Sequence, residues 1–148
     1  MNQGYVHSFH TAAAADGPGV RFAIFLSGCP FRCKYCHNPD TWEMKRGTLK
    51  TVDSLLDEIK KYASFLRMAG GLTITGGEPL AQSEFTYEIF SRVKQELSLH
   101  TALDTQGFLA GTLPDTYFEP IDLILLDIKE MNPERHRALT GKELQPTL

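Results

Sequence analysis

Val20-Arg21-Phe22-Ala23-Ile24-Phe25-Leu26-Ser27 runs through Gly28 straight into Cys29-Pro30-Phe31-Arg32-Cys33-Lys34-Tyr35-Cys36-His37-Asn38-Pro39. The first eight residues are almost continuously apolar and rich in β-branched and aromatic side chains, the pattern of a strand buried on both faces of a parallel sheet. The loop hanging from its end carries all three cysteines of the chain, at the spacing C-x3-C-x2-C. A cubane [4Fe-4S] cluster normally takes four Cys thiolates, so three can hold it and leave one iron open to a small molecule.

Other chemistries use similar residues. Cys33-Lys34-Tyr35-Cys36-His37 alone spells the C-x-x-C-H haem attachment pattern, which would make the chain a c-type haem electron carrier. Haem attachment belongs to an exported compartment, yet Met1 to Ala15 has neither the basic n-region nor the apolar h-region of a signal peptide, and Cys29 would be left over. Zinc would suit a metal-stabilised interaction domain, with His37 or another residue as fourth ligand. Structural zinc sites usually draw on two ligand pairs, however, and the sequence has no second pair. An odd number of closely spaced cysteines also speaks against disulfides.

Downstream, the sequence of strand, polar loop and helix repeats. Thr51 is placed to cap a helix whose apolar residues Val52, Leu55, Leu56, Ile59, Ala63 and Leu66 recur at steps of three and four, with Gly70-Gly71 as its end. Leu72 to Thr75 reads as a short strand running into Gly76-Gly77-Glu78-Pro79, and a second helix carries Phe85, Ile89, Phe90, Val93 and Leu97 on one side. His100 to Leu103 is a weaker strand that ends in Asp104-Thr105-Gln106-Gly107, followed by a loop or partial helix through Pro114 and Phe118. Ile121 to Leu126 reads as a buried strand ending in Asp127-Ile128-Lys129; Asn132 then caps, and Pro133 opens, a helix that closes at Gly141. Upstream, Gly4 to Phe9 alternates apolar and polar residues, an edge ribbon leading through Gly17-Pro18-Gly19 into the core.

Four strand-to-helix units in succession predict an α/β fold with a parallel sheet and right-handed crossovers, in one domain with the ribbon at 1–19 and the βα units at 20–148. In such sheets ligands bind at the carboxyl ends of the strands, and here those ends carry the cysteines, G-G-E-P, D-T-Q-G and D-I-K. Each has a plain structural alternative: a glycine turn at Gly76-Gly77, a helix cap at Asp104, an ion pair between Asp127 and Lys129. Asp127 and Lys129 nevertheless share one face of a strand, because the side-chain period is two, and both can point into the mouth.

Composition narrows the field. At 148 residues and 42% apolar content the chain supports one ordinary domain, though it is short of the ~250 residues of a complete α/β barrel. A net charge of -3 and a pI near 5.9, with scattered Lys and Arg, give no footprint for nucleic acid. No apolar run approaches the ~20 residues of a membrane span, so a soluble, cytoplasmic protein with reduced thiols is expected.

The cysteine spacing, with aromatic Tyr35 just before the third cysteine, resembles the radical S-adenosylmethionine enzymes. With Val6 to Phe9, Asp16 to Phe22, Gly28 to Trp42, Thr75 to Glu78, Asp104 to Gly107 and Leu126 to Lys129 in order, nearly the whole chain resembles the glycyl-radical-enzyme activases of the pyruvate formate-lyase activating type. The resemblance implies a partial (βα) barrel of about six units, of which about four are present, so that the chain reads as truncated at its C-terminus. It implies reductive cleavage of S-adenosylmethionine to a 5'-deoxyadenosyl radical, which abstracts hydrogen from a backbone glycine of a pyruvate formate-lyase type partner, with flavodoxin or ferredoxin as electron donor.

By the same resemblance Cys29, Cys33 and Cys36 hold the cluster. Tyr35, Cys36, His37, Gly76, Gly77, Glu78, Asp127, Ile128 and Lys129 contact S-adenosylmethionine, Glu78 and the glycine carbonyls facing its ammonium and Lys129 its carboxylate. Asp104, Thr105, Leu125 and Asp127 hold a monovalent cation. Anaerobic ribonucleotide reductase activase, a shorter relative, is the alternative within the class. An open edge at the Ile121 to Leu126 strand would leave the chain prone to association.

Overall fold

A computed structural model describes residues 3–13, 17–28, 47–105, 107, 109–110 and 113–126. Within them lie β1 (Gln3–Ala13), β2 (Val20–Leu26), β3 (Thr48–Thr51), β4 (Gly70–Gly76), β5 (His100–Thr105) and β6 (Leu123–Leu126), in one sheet of order β3-β1-β2-β4-β5-β6. β2, β4, β5 and β6 run parallel to one another, as expected from the repeated strand-to-helix pattern. β1 is antiparallel to both its neighbours, which makes the sheet mixed rather than purely parallel.

The apolar run from Val20 forms β2, with a strand on either side and Phe22, Ala23, Ile24 and Leu26 fully buried. The N-terminal ribbon, expected at the edge, is instead an interior strand. β3 pairs outside it in the register Gln3↔Thr51 to Val6↔Thr48. Four residues, Thr-Leu-Lys-Thr, are too few for an alternation pattern to show, so this strand has no signal in the sequence.

Thr51 does cap a helix: its Oγ1 accepts from the Ser54 N–H at 3.1 Å. The helical segment is divided into α1 (Val52–Lys60) and α2 (Ala63–Ala69), and all six apolar positions on its predicted face enter the core. Gly70 and Gly71, expected to close the helix, belong to β4. A Cβ on Gly70 would stand 2.3 Å from the Val20 carbonyl oxygen, and one on Gly71 would stand 2.2 Å from that of His100. The pair therefore lets β2 and β5 close in on β4.

The second helix, α3 (Ser83–Arg92), follows a 3-10 turn at Pro79–Gln82 and continues as a π-helical turn at Val93–Leu97. Phe85, Ile89, Phe90, Val93 and Leu97 are all buried, as their spacing predicts. Between β5 and β6 the regular element among the described residues is a short 3-10 turn, Asp115–Phe118.

The last strand needs correcting in length and burial. Asp122, which receives a bond from Thr101 N at 2.9 Å and donates its own N–H to Thr101 O at 3.0 Å, stands at the threshold of β6, so the strand begins at Leu123. β6 ends the described sheet with one strand neighbour, and Ile124 and Leu126 are 45% and 49% exposed. The helix expected from Asn132 to Gly141 lies outside the described residues, and no helix among those described is long and apolar enough to cross a membrane.

Candidate cluster and cofactor site

β2 and β4 end side by side, with Leu26 opposite Gly76. Beyond that pair the chain of β4 folds onto the end of β2: Gly77 N donates to Leu26 O at 2.9 Å, and Glu78 N donates to Gly28 O at 2.6 Å. Gly28 is the residue before Cys29, so the base of the cysteine loop and the Gly-Gly-Glu turn form one hydrogen-bonded unit. Gly76 has φ +121°, and a Cβ there would lie 2.3 Å from Leu26 N and 2.4 Å from Leu26 O. Only glycine combines that conformation with so close a neighbour.

Glu78 is fully buried. Its Oε2 accepts from Leu80 N at 2.8 Å, capping the 3-10 turn, and Thr105 Oγ1 lies 2.7 Å from Oε1 and 2.8 Å from Oε2. Thr105 Oγ1 in turn accepts from Gly107 N at 3.0 Å. Burial first, and the charge of Glu78 second, push the Tyr117 hydroxyl well above its ordinary pKa; it donates to Ser83 O at 2.6 Å.

On the other face of β5, Asp104 is half-buried and its Oδ2 accepts from the Thr75 hydroxyl at 2.9 Å. The register of β5 and β6 sets Asp104 opposite Leu125 and Thr105 opposite Leu126. The structure thus brings together Gly76, Gly77, Glu78, Asp104, Thr105 and Leu125 at the carboxyl ends of β4, β5 and β6. Cys29, Cys33, Tyr35, Cys36, His37, Asp127, Ile128 and Lys129 lie outside the described residues. Among the described residues no group of His, Cys, Asp and Glu is arranged to hold a metal ion.

Gln82 has a structural role with no local signal in the sequence. Its Nε2 donates to Tyr5 O at 2.8 Å and Ser27 O at 2.9 Å, and its Oε1 accepts from Tyr5 N at 2.8 Å, which ties β1 to the last residues before the cysteine loop. A lone Gln in a polar turn carries no local sign of this.

The chain is 43% identical over 152 residues to the pyruvate formate-lyase-activating enzyme of Listeria monocytogenes, covering 98% of this chain and 61% of that protein. It is 43% identical over 148 residues to the pyruvate formate-lyase 1-activating enzyme of Escherichia coli, covering 98% and 60%. It is 42% identical over 147 residues to the activating enzyme of Streptococcus mutans, covering 93% and 55%. The chain therefore spans about three-fifths of the length of the first two relatives. The crystal structure of QueE from Escherichia coli matches the fold with a TM-score of 0.56 at 19% identity, over 72% of this chain and 53% of that one. The family described as 4Fe-4S single cluster domain matches residues 15–145, cysteine loop and all four parallel strands included, and the chain belongs to that family.

Proposed function

We propose that the chain is the cluster-bearing core of a glycyl-radical-enzyme activase of the radical S-adenosylmethionine class, its parallel strands forming part of an α/β barrel. Cys29, Cys33 and Cys36 would hold a [4Fe-4S] cluster, which would supply the electron for reductive cleavage of S-adenosylmethionine to a 5'-deoxyadenosyl radical able to take a hydrogen atom from a backbone glycine of a pyruvate formate-lyase type partner. The observation that carries this reading is the pair of hydrogen bonds joining Gly77 and Glu78 to Leu26 and Gly28, which seats the glycine turn against the base of the cysteine loop.

The described residues suit such a cofactor. The amides of Gly77 and Glu78 are taken up by Leu26 and Gly28, so the turn meets a ligand with carbonyl oxygens, which are acceptors and match an ammonium group. Tyr35, Cys36, His37, Asp127 and Ile128 complete the contacts, and Lys129 pairs with the methionine carboxylate. Asp104, Thr105, Leu125 and Asp127 hold a monovalent cation; because the Thr105 hydroxyl is bonded to Glu78, its share is the main-chain carbonyl, as for Leu125. The electron comes from flavodoxin or ferredoxin in a reducing cytoplasm.

Anaerobic reconstitution followed by metal and sulfide analysis tests the reading, together with an assay for 5'-deoxyadenosine after chemical reduction. The expected outcome is iron and sulfide in cubane proportion and cofactor cleavage. Zinc without sulfide, or a sharp Soret band, overturns it.

A further inference from the structure

Glu78 sits with its main chain on one strand and its side chain on another. Its N–H is bonded to Gly28 O beyond β2, while its carboxylate is bonded to the Thr105 hydroxyl at the end of β5. A carboxylate that is fully buried has to be met by donors, and Thr105 Oγ1 and Leu80 N are donors it has among the described residues. The hydroxyl has one proton. An ionised carboxylate can only accept, so that proton is directed at Glu78, while Gly107 N–H takes an acceptor position on Thr105 Oγ1. The bond therefore has a fixed polarity, and it locks the ends of β2, β4 and β5 together through the Gly76 to Glu78 turn.

We infer that Thr105 is a positioning residue for the cofactor pocket, acting through Glu78: its hydroxyl holds the buried carboxylate, and the held carboxylate fixes the Gly76-Gly77 backbone that faces the cofactor. The inference rests on the proposed function for the identity of the ligand, and on geometry for the latch. It gives Glu78 a role different from a direct contact. A side chain with no exposed surface works through the backbone it anchors. Removing the hydroxyl leaves a buried carboxylate short of a donor, and the turn that carries it is the element that has to adjust.

The test compares Thr105→Val, which keeps the shape and loses the hydroxyl, with Thr105→Ser, which keeps the hydroxyl. Two readouts are needed: S-adenosylmethionine affinity of the anaerobically reconstituted protein by calorimetry, and amide hydrogen exchange at Glu78 and Leu80 without cofactor. Thr105→Val is expected to weaken binding about tenfold or more and to speed exchange at Leu80 by a similar factor, with iron content unchanged, while Thr105→Ser stays close to wild type. If Thr105→Val does not fold, Glu78→Gln, which keeps an oxygen for Leu80 but opposes an amide to Thr105, is expected to shift both readouts in the same direction. Wild-type affinity in a folded Thr105→Val protein, even one with a lower Tm, overturns the positioning role, and unchanged Leu80 exchange overturns the latch. A wild-type protein with its iron that takes no S-adenosylmethionine overturns the proposed function and the cofactor role with it, whereas the exchange result still decides the latch.

Discussion

His100 Nδ1 lies 2.9 Å from Arg21 Nη2, at the end of the sheet opposite Gly28. Arg21 is 1% exposed, and it also donates to Thr73 Oγ1 at 2.7 Å, Pro18 O at 3.0 Å and Leu72 O at 3.0 Å, so one guanidinium ties the amino ends of β2, β4 and β5. A guanidinium has no acceptor, so His100 Nδ1 must accept and carries no proton. Burial first, then the charge of Arg21, hold the His100 pKa below its ordinary value against an opposing pull from Asp122, with Lys94 adding a lesser push downward.

This pair predicts a pH-dependent stability. The unfolded chain takes up a proton on His100 near pH 6.5, whereas the folded chain does so only at lower pH. The stability tied to the neutral ring is fully present above about pH 6.5 and is lost as pH falls toward and through the folded pKa. Denaturant unfolding at pH 7.5 and pH 5.5 should show the drop. His100→Asn, whose side-chain oxygen can take the Arg21 bond at either pH, should show less of it.

Gly76→Ala should destabilise the protein by roughly 2–3 kcal/mol or more, because φ +121° is strained for alanine and its Cβ would strike Leu26 N and O. Equilibrium unfolding measures the loss. A variant as stable as wild type would mean that β2 and β4 part easily at this point.

Tyr117→Phe removes the hydrogen bond to Ser83 O at 2.6 Å and should cost about 0.5–1.5 kcal/mol. Its ring packing against Tyr87 and Phe118, with centroids 5.3 Å away in each case, is retained by Phe. Urea unfolding of the variant checks the value, and a loss of several kcal/mol would point to a wider rearrangement around Glu78.

Cys29→Ala, Cys33→Ala and Cys36→Ala should each lose most of the iron and all reductive cleavage of S-adenosylmethionine, since two thiolates cannot hold a four-iron cluster. Full activity in any of the three would remove that cysteine from the cluster.

Lys129→Ala should keep its iron yet bind S-adenosylmethionine more weakly by roughly 2–5 kcal/mol, the cost of leaving a partly desolvated carboxylate unpaired. Anaerobic calorimetry separates this from an ordinary strand-end ion pair, for which the affinity would not change.

Much of the architecture could be read along the chain. The both-face burial of β2, the Thr51 cap, the apolar faces of α1 to α3 and the polar or glycine-rich strand ends all follow from periodicity and local backbone chemistry, which act over a few residues. The cysteine spacing is likewise a local property, and it points to a cluster without any fold. What contiguous residues could not show is pairing across the sheet: the seat of β3 outside β1, Glu78 against Thr105 27 residues on, Gln82 against Tyr5, and Arg21 against His100 79 residues on. These depend on strand register, and a shift of one residue would turn each side chain to the opposite face. Burial of β6 depends on the same context. Its apolar residues look like those of β2, but Ile124 and Leu126 share one face of β6, and among the described residues that face is left half exposed, whereas both faces of β2 are covered.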